Sequence, residues 1–478
     1  MRRLQVQSPF AKLYAEAGLL PEIRRSLLFM IFGNLFGNLF GTVTSSSALT
    51  GLARDLGAND FIFGVLTAIP LFGSLMQLPA ALLVSRTKKR KTYMLTYGLV
   101  SRALWILVGF VPFVIPVQAG WLRIWSLIFI VGLSSLGGSF INVCFTPWLA
   151  DLVPISIRGR WLSARDRIIS VIAVGVGLLT ARLLDVMPGF EGYRLVFALG
   201  GIFGVFDMLC FIGVKNVPMH TSGGTKAKTV FRQMITDKPF FQFLLFWTLW
   251  AFTSNLAGPF IVRYALGPLE LSFLQVTLAS QVTAAVATML VISRWGHLMD
   301  RFGNKPVMWI SSLVTALTPL IMLFSAKGSP VTLLLFHAIG ASFWCATNMG
   351  AMNTLLGISP DNQRPTYVAL FSAITSIAGA FLGVLSGGAI LQGIQDTVAA
   401  NNITIGGWVP DHYAIVFVLA VIARLAVVVF FVPKLTNDKD YTYLDMQRAI
   451  LMKFTGKRPT LMRWSSPEKR ATRTKKPR

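Results

Sequence analysis

Ionisable and amide side chains are scarce in this chain, and their positions limit the chemistry it can perform. Arg102, Asp207, His337 and Arg424 fall inside long apolar runs, where an ionised group is expensive enough to need a partner or a task. Arg102 and Asp207 lie at similar depth in their runs and are expected as a structural ion pair, with proton coupling as the alternative. A free histidine titrates near neutral pH; His337 is expected as a hydrogen-bonded structural residue, again with coupling as its alternative. Arg424 is expected to snorkel or to meet a helix end. Amides recur at Asn34, Asn38, Asn142, Asn255 and Asn348, and indoles at Trp247, Trp250 and Trp344. An amide in hydrocarbon must either bond across helices or line a wet cavity. Amides with indoles and no dominant charge suit a neutral or zwitterionic polar solute, such as a sugar or nucleoside. The chemistry implied is reversible binding rather than bond making. No phosphate loop, nucleophile elbow or zinc-ligand spacing is present. Cys144, Cys210 and Cys345 have no paired spacing, so neither a metal nor a disulfide framework is indicated. Enzymatic function is not expected, and no cofactor is implied.

The elements that must position these groups follow from composition. With 54% hydrophobic and only 13% charged residues in 478, the chain carries more apolar surface than a soluble core needs. Twelve apolar runs are separated by charge clusters and Gly/Pro turns, at about 26–50, 61–84, 93–115, 122–149, 161–183, 195–214, 240–262, 272–294, 307–325, 331–356, 367–391 and 412–432. Each is long enough to span a bilayer, and in hydrocarbon each must be helical because no water satisfies its backbone. The expected class is an all-α integral membrane protein with twelve transmembrane helices.

Charge sets the orientation. Assigning loops alternately to two sides puts 36 of the 44 Lys and Arg residues on one side and six on the other. The basic side is cytoplasmic by the positive-inside rule, with both termini there. The N-terminal segment is charged and has no short apolar core followed by a cleavage site, so no removed signal peptide is expected. The chain divides into an N-tail (1–25), a first half (26–214), a basic linker (215–239), a second half (240–433) and a basic tail (434–478). The net charge of +25 is assigned to contact with anionic lipids at the membrane surface, where each basic residue gains roughly 1 kcal/mol, and not to nucleic acid.

Repeats relate the halves. At an offset of 206 residues Asn142 meets Asn348, Pro154 meets Pro360 and Arg158 meets Arg364; at an offset of 210 Gly57 meets Gly267 and Asp60 meets Glu270. Two pseudo-symmetric six-helix bundles are the reading these matches support.

Between spans 8 and 9 lies "GHLMDRFGNKP", with Gly296, Leu298, Asp300, Arg301, Gly303 and Lys305. It resembles the loop signature G-x-L-x-D-R-x-G-R-K of the major facilitator superfamily, with Asn304 where the second Arg is expected. Twelve spans, two halves and a basic linker extend the resemblance over about residues 26–433. It implies a bacterial, multi-pass inner-membrane transporter, working as a monomer, whose loop contacts change between outward-open and inward-open states. Asp300, Arg301, Gly303 and Lys305 would form such a latch. The first-half copy departs: Ser85 replaces the acid and Lys88 the second glycine, while Arg86 keeps its place and Asp151 offers it a carboxylate. Arg165, Asp166 and Arg167 are expected as a charge network near the cytoplasmic mouth. In the family, helices 1, 4, 7 and 10 line the cavity, which makes the five amides and three indoles candidates for substrate contact, with interhelical bonding the alternative for Asn34 and Asn38 and core or lipid packing the alternative for the indoles. With no nucleotide site, transport would use the solute's own gradient or a coupled proton or sodium ion. Drug or metabolite efflux is the alternative within the class, although a G-x-x-x-G-P-x-x-G-G pattern is absent from span 5. A sensor or scaffold acting through the basic tail is the alternative outside it.

Overall fold

A computed structural model describes residues 9–44, 46–217, 227–360, 363–401, 411–436 and 439. Its regular elements are all helical among the described residues, and twelve helices are long and apolar enough to cross a bilayer. They are α1 (Pro21–Asp55), α2 (Asp60–Thr87), α3 (Arg90–Val114), α4 (Val117–Leu152), α5 (Ile155–Val186) and α6 (Phe190–Ile212), then α7 (Lys238–Leu266), α8 (Phe273–Phe302), α9 (Asn304–Phe324), α10 (Val331–Ile358), α11 (Thr366–Val398) and α12 (His412–Lys434). All twelve expected spans are found. Most run past the apolar window into polar sequence, because helix continues wherever caps and turns allow. Thus α5 begins at Ile155, directly after Pro154, and carries its charged first turns as helix.

Local signals set the starts. Asn59 caps α2 by accepting the Ile62 amide at 2.8 Å, and Ser272 with Gln275 forms a reciprocal capping box on α8. Two shorter helices lie in segments expected as tail and linker. Pro9–Glu16 docks on α5, where the Trp161 indole donates to Tyr14 at 3.1 Å, and Ala227–Thr236 packs on α7 and α11. Most of the basic tail and residues 218–226 of the linker fall outside the described residues.

The same pairings build both halves. α3 packs on α6 and α4, and α1 on α6; correspondingly α9 packs on α12 and α10, and α7 on α12. The outer surface is apolar, with Phe129, Leu179 and Met289 exposed, as lipid contact requires. Helix ends repeat as well. Lys91 Nζ donates to the carbonyls of Ile212 and Val214, both at 2.7 Å, and closes α6. Lys305 Nζ does the same for α12 through Pro433 and Leu435, at 2.6 and 2.7 Å. A cation there also meets the negative end of the helix dipole.

Candidate functional site

A cavity of about 480 Å³ opens between first-half helices and α8 of the second half. Its lining combines Asn34 and Asn38 of α1, Arg102 of α3, Asn142 of α4, Asp207 of α6 and Gln281 of α8, with apolar walls from Met94, Phe145 and Phe211. The expected pair is present: Arg102 Nη2 lies 3.2 Å from Asp207 Oδ2. It is not confined to the periphery, however, because both side chains reach the cavity wall between α1 and α4. Backbone explains the access. A Cβ at Gly37 would stand 2.9 Å from Asp207 Oδ2, so only glycine lets α1 pass the carboxylate so closely. The guanidinium lies over the Phe40 ring, 4.0 Å from its centroid, and its Nε is buried without a hydrogen-bond partner.

The amides divide. Asn34 Nδ2 donates to Met30 O at 2.8 Å and Asn38 Nδ2 to Asn34 O at 2.9 Å. Both therefore bond within their own helix while still lining the cavity. Asn142 is exposed to it. In the second half Asn255 donates to Ala251 O at 2.8 Å, Asn348 is exposed, and neither belongs to this lining. Trp250 is fully buried and stacks on Trp344 with centroids 5.8 Å apart; it is core in this state rather than a substrate contact. Trp247 stacks on Phe243 and also lies outside the cavity. His337 differs from expectation: its Nε2 is buried with no hydrogen-bond partner among the described residues, and the ring packs edge-on against Phe336.

Arg424 is buried and snorkels nowhere. It donates to the carbonyls of Thr253, Ser254 and Thr315. Thr315 sits where α9 tightens to a 3₁₀ turn at Pro319, which cannot supply the amide that would normally bond four residues back. The cation therefore meets a helix discontinuity in mid-span.

The loop residues also sort by geometry. Gly303 has φ +89°, a conformation glycine adopts freely, and it turns α8 into α9. Asp300 and Arg301 are exposed, and the Asp300 carboxylate forms no ion pair among the described residues. Gly296 is inside α8 rather than in the turn. In the first half Lys88 occupies the left-handed position at φ +57°, and beyond the reversal Arg90 is buried while Lys89 stays exposed. It is Arg90, not Arg86, that holds Asp151, at 2.5 Å, while lying over Trp148. Arg86 is exposed. Arg158 caps the end of α4 through the carbonyls of Ala150 and Val153, and Arg364 begins the helical turn that leads into α11. Of the expected charge network, Arg165 and Asp166 pair at 2.8 Å, while Arg167 is exposed.

Contacts between the halves gather at the face away from the basic loops. Asp60, whose side chain is 3% exposed, accepts from Arg263 Nε at 2.5 Å and from the Tyr413 hydroxyl at 2.9 Å. His412 Nε2 stands 3.3 Å from its other oxygen. Arg263 also donates to Ala58 O at 2.6 Å. The Asp185 carboxylate accepts the amides of Phe273 and Leu274 at 2.8 and 2.9 Å, and Arg54 donates to Leu266 O. Gly64 and Gly388 bring α2 and α11 into backbone contact, where a Cβ on Gly388 would lie 2.9 Å from Asp60 O. This face is sealed, and the cavity lies on its basic side.

Sequence reasoning missed this seal and missed Gln281. The repeat matched Asp60 with Glu270, but Glu270 pairs with Lys327 on the surface instead. Gln281 lies in a π-helical stretch, Leu278–Thr283, whose inserted residue rotates the helix face away from any 3.6-residue forecast.

Known structures share this architecture. A bacterial homologue of the human lysosomal transporter Spinster, inward-facing and unoccupied, superposes with a TM-score of 0.65 at 17% identity, covering 87% of this chain and 98% of its own. The xylose transporter XylE from E. coli, in an inward open conformation, gives 0.57 at 18% identity, over 89% and 98%. The nucleoside transporter NupG gives 0.58 at 14% identity, over 87% and 99%. No curated protein matches the chain in sequence. The sequence profile of the Major Facilitator Superfamily matches residues 31–295 and again 251–462; with twelve helices in two like halves, the chain belongs to that superfamily.

Proposed function

We propose that the protein is a secondary active transporter that moves a small polar solute, neutral or zwitterionic, by alternating access across the inner membrane with both termini cytoplasmic. The observation that carries this is a cavity of about 480 Å³ lined by amides and a compensated charge pair, lying on the basic side of a sealed interface. With that side cytoplasmic, the state described is inward-open. Purified protein warmed against sugars, nucleosides, amino acids and lipophilic cations tests the reading, since a ligand of the folded state at a hundred times its Kd adds about 2.7 kcal/mol. A stabilising polar solute should then exchange across proteoliposomes, and deletion of the basic tail should leave that exchange intact. Stabilisation by lipophilic cations alone would replace this reading with efflux. Loss of function with the tail alone would replace it with a scaffold.

The exposed loop supplies a second expectation. Asp300 has no ion-pair partner among the described residues in this state, which supports a latch made in the opposite state. Asp300→Asn should leave thermal stability within about 0.5 kcal/mol, as for an exposed site, while solute exchange slows at unchanged expression. Normal exchange would remove the latch assignment.

A further inference from the structure

We infer that the Arg102–Asp207 pair anchors a zwitterionic solute, Arg102 taking its carboxylate and Asp207 with the α1 amides taking its ammonium group. This rests on the transport reading above and narrows its substrate class. Among the lining residues only Arg102 and Asp207 are charged, so the cavity is neutral overall but divided into a donor wall and an acceptor wall. A ligand with net charge would leave one unit uncompensated where hydration is poor. A zwitterion leaves none.

The geometry of the pair is that of an open site. Arg102 and Asp207 meet through one nitrogen and one oxygen at 3.2 Å, not through the two parallel bonds that a guanidinium and a carboxylate make when they serve only each other. The side chains are 17% and 5% exposed, both border the cavity, and Arg102 Nε is buried with its hydrogen unused. The acceptor wall is built the same way. Asn34 and Asn38 direct amide hydrogens into their own helix and line the same cavity as Asp207, where an Oδ1 acceptor suits the several N–H donors of an ammonium group. Asn142 of α4 lines the same cavity and, as an amide, can donate or accept. A neutral polyol would leave both charges compensated by each other alone.

The test uses full-length protein in nanodiscs, with binding measured by calorimetry for the proteinogenic L-amino acids, for the methyl ester of each binder and for its N-acetyl derivative. An amino acid should bind, and the ester (a cation) and the acetyl form (an anion) should each lose about ten- to a hundredfold in affinity, the span of one charged hydrogen bond. Single changes at the pair can unfold the protein by stranding a charge, so the decisive variant is the double one, Arg102→Gln with Asp207→Asn. A merely structural pair predicts that this neutral replacement, if stably folded, binds as the native protein does. The anchoring role predicts native stability with the zwitterion affinity reduced at least tenfold. Equal binding of ester or acetyl form, unchanged binding by the double variant, or no binding of any amino acid would overturn the inference. A sugar or nucleoside binding in the same assay would do so while leaving the transport reading in place.

Discussion

Asp60→Asn is expected to move the protein out of the state in which this face is sealed. The substitution keeps the shape of the side chain but removes the charge that compensates Arg263, and Arg263 is only 12% exposed behind the sealed face. Breaking a buried pair by removing one partner costs about 3–5 kcal/mol, because the other charge is stranded. Parting the halves lets water reach Arg263. If only half of that energy is recovered on opening, the balance between states shifts by at least about tenfold. A cysteine introduced at Ala58, which is 5% exposed here, should then react with a membrane-impermeant reagent about ten times faster or more. Unchanged labelling would show that the Asp60 network does not hold the face shut.

Gly388→Leu should have a comparable effect through shape alone. The nearest neighbours of the added carbon are the Asp60 carbonyl at 2.9 Å and Gly64 Cα at 3.2 Å, and backbone cannot swing aside as a side chain can. Overpacking of this kind costs about 1–3 kcal/mol where neighbours adjust, and here adjustment means separation of α2 from α11. Each half should still fold, since the crossing joins the halves and is not internal to either. Spin labels on the sealed ends of α2 and α11 should report a longer distance, with solute exchange lost. A native distance distribution with normal exchange would contradict this.

Much of the fold was legible because hydrocarbon removes choices. Once Asp, Lys and Arg punctuate apolar runs of spanning length, helix is the one available form for each run, and all twelve were found. The Arg102–Asp207 pair was legible from depth, since two opposite charges at one level of a membrane have few other partners. What escaped depended on relations that a linear reading does not contain. Asp60 and Arg263 are separated by 203 positions, and only the packing of one half on the other joins them. Trp250 resembled a ligand platform by composition, yet its direction around α7 faces the core. The motif position assigned Asp151 to Arg86, and only the left-handed turn at Lys88 brings Arg90 to it instead.

The glycine crossing of α2 and α11 has a mechanical consequence. It lies four residues from the start of α2 at Asp60 and 23 from its end at Thr87, arms of about 6 and 35 Å at 1.5 Å per residue. A rigid rocking motion about that fulcrum multiplies displacement nearly sixfold. Parting the acid from its arginine by an ångström or two sweeps the far tip of the helix through roughly 6–12 Å, the breadth of a small solute. The Asp60 ion pairs sit on the short arm, where force is large and travel small, and the Thr87 end of α2 sits on the long one.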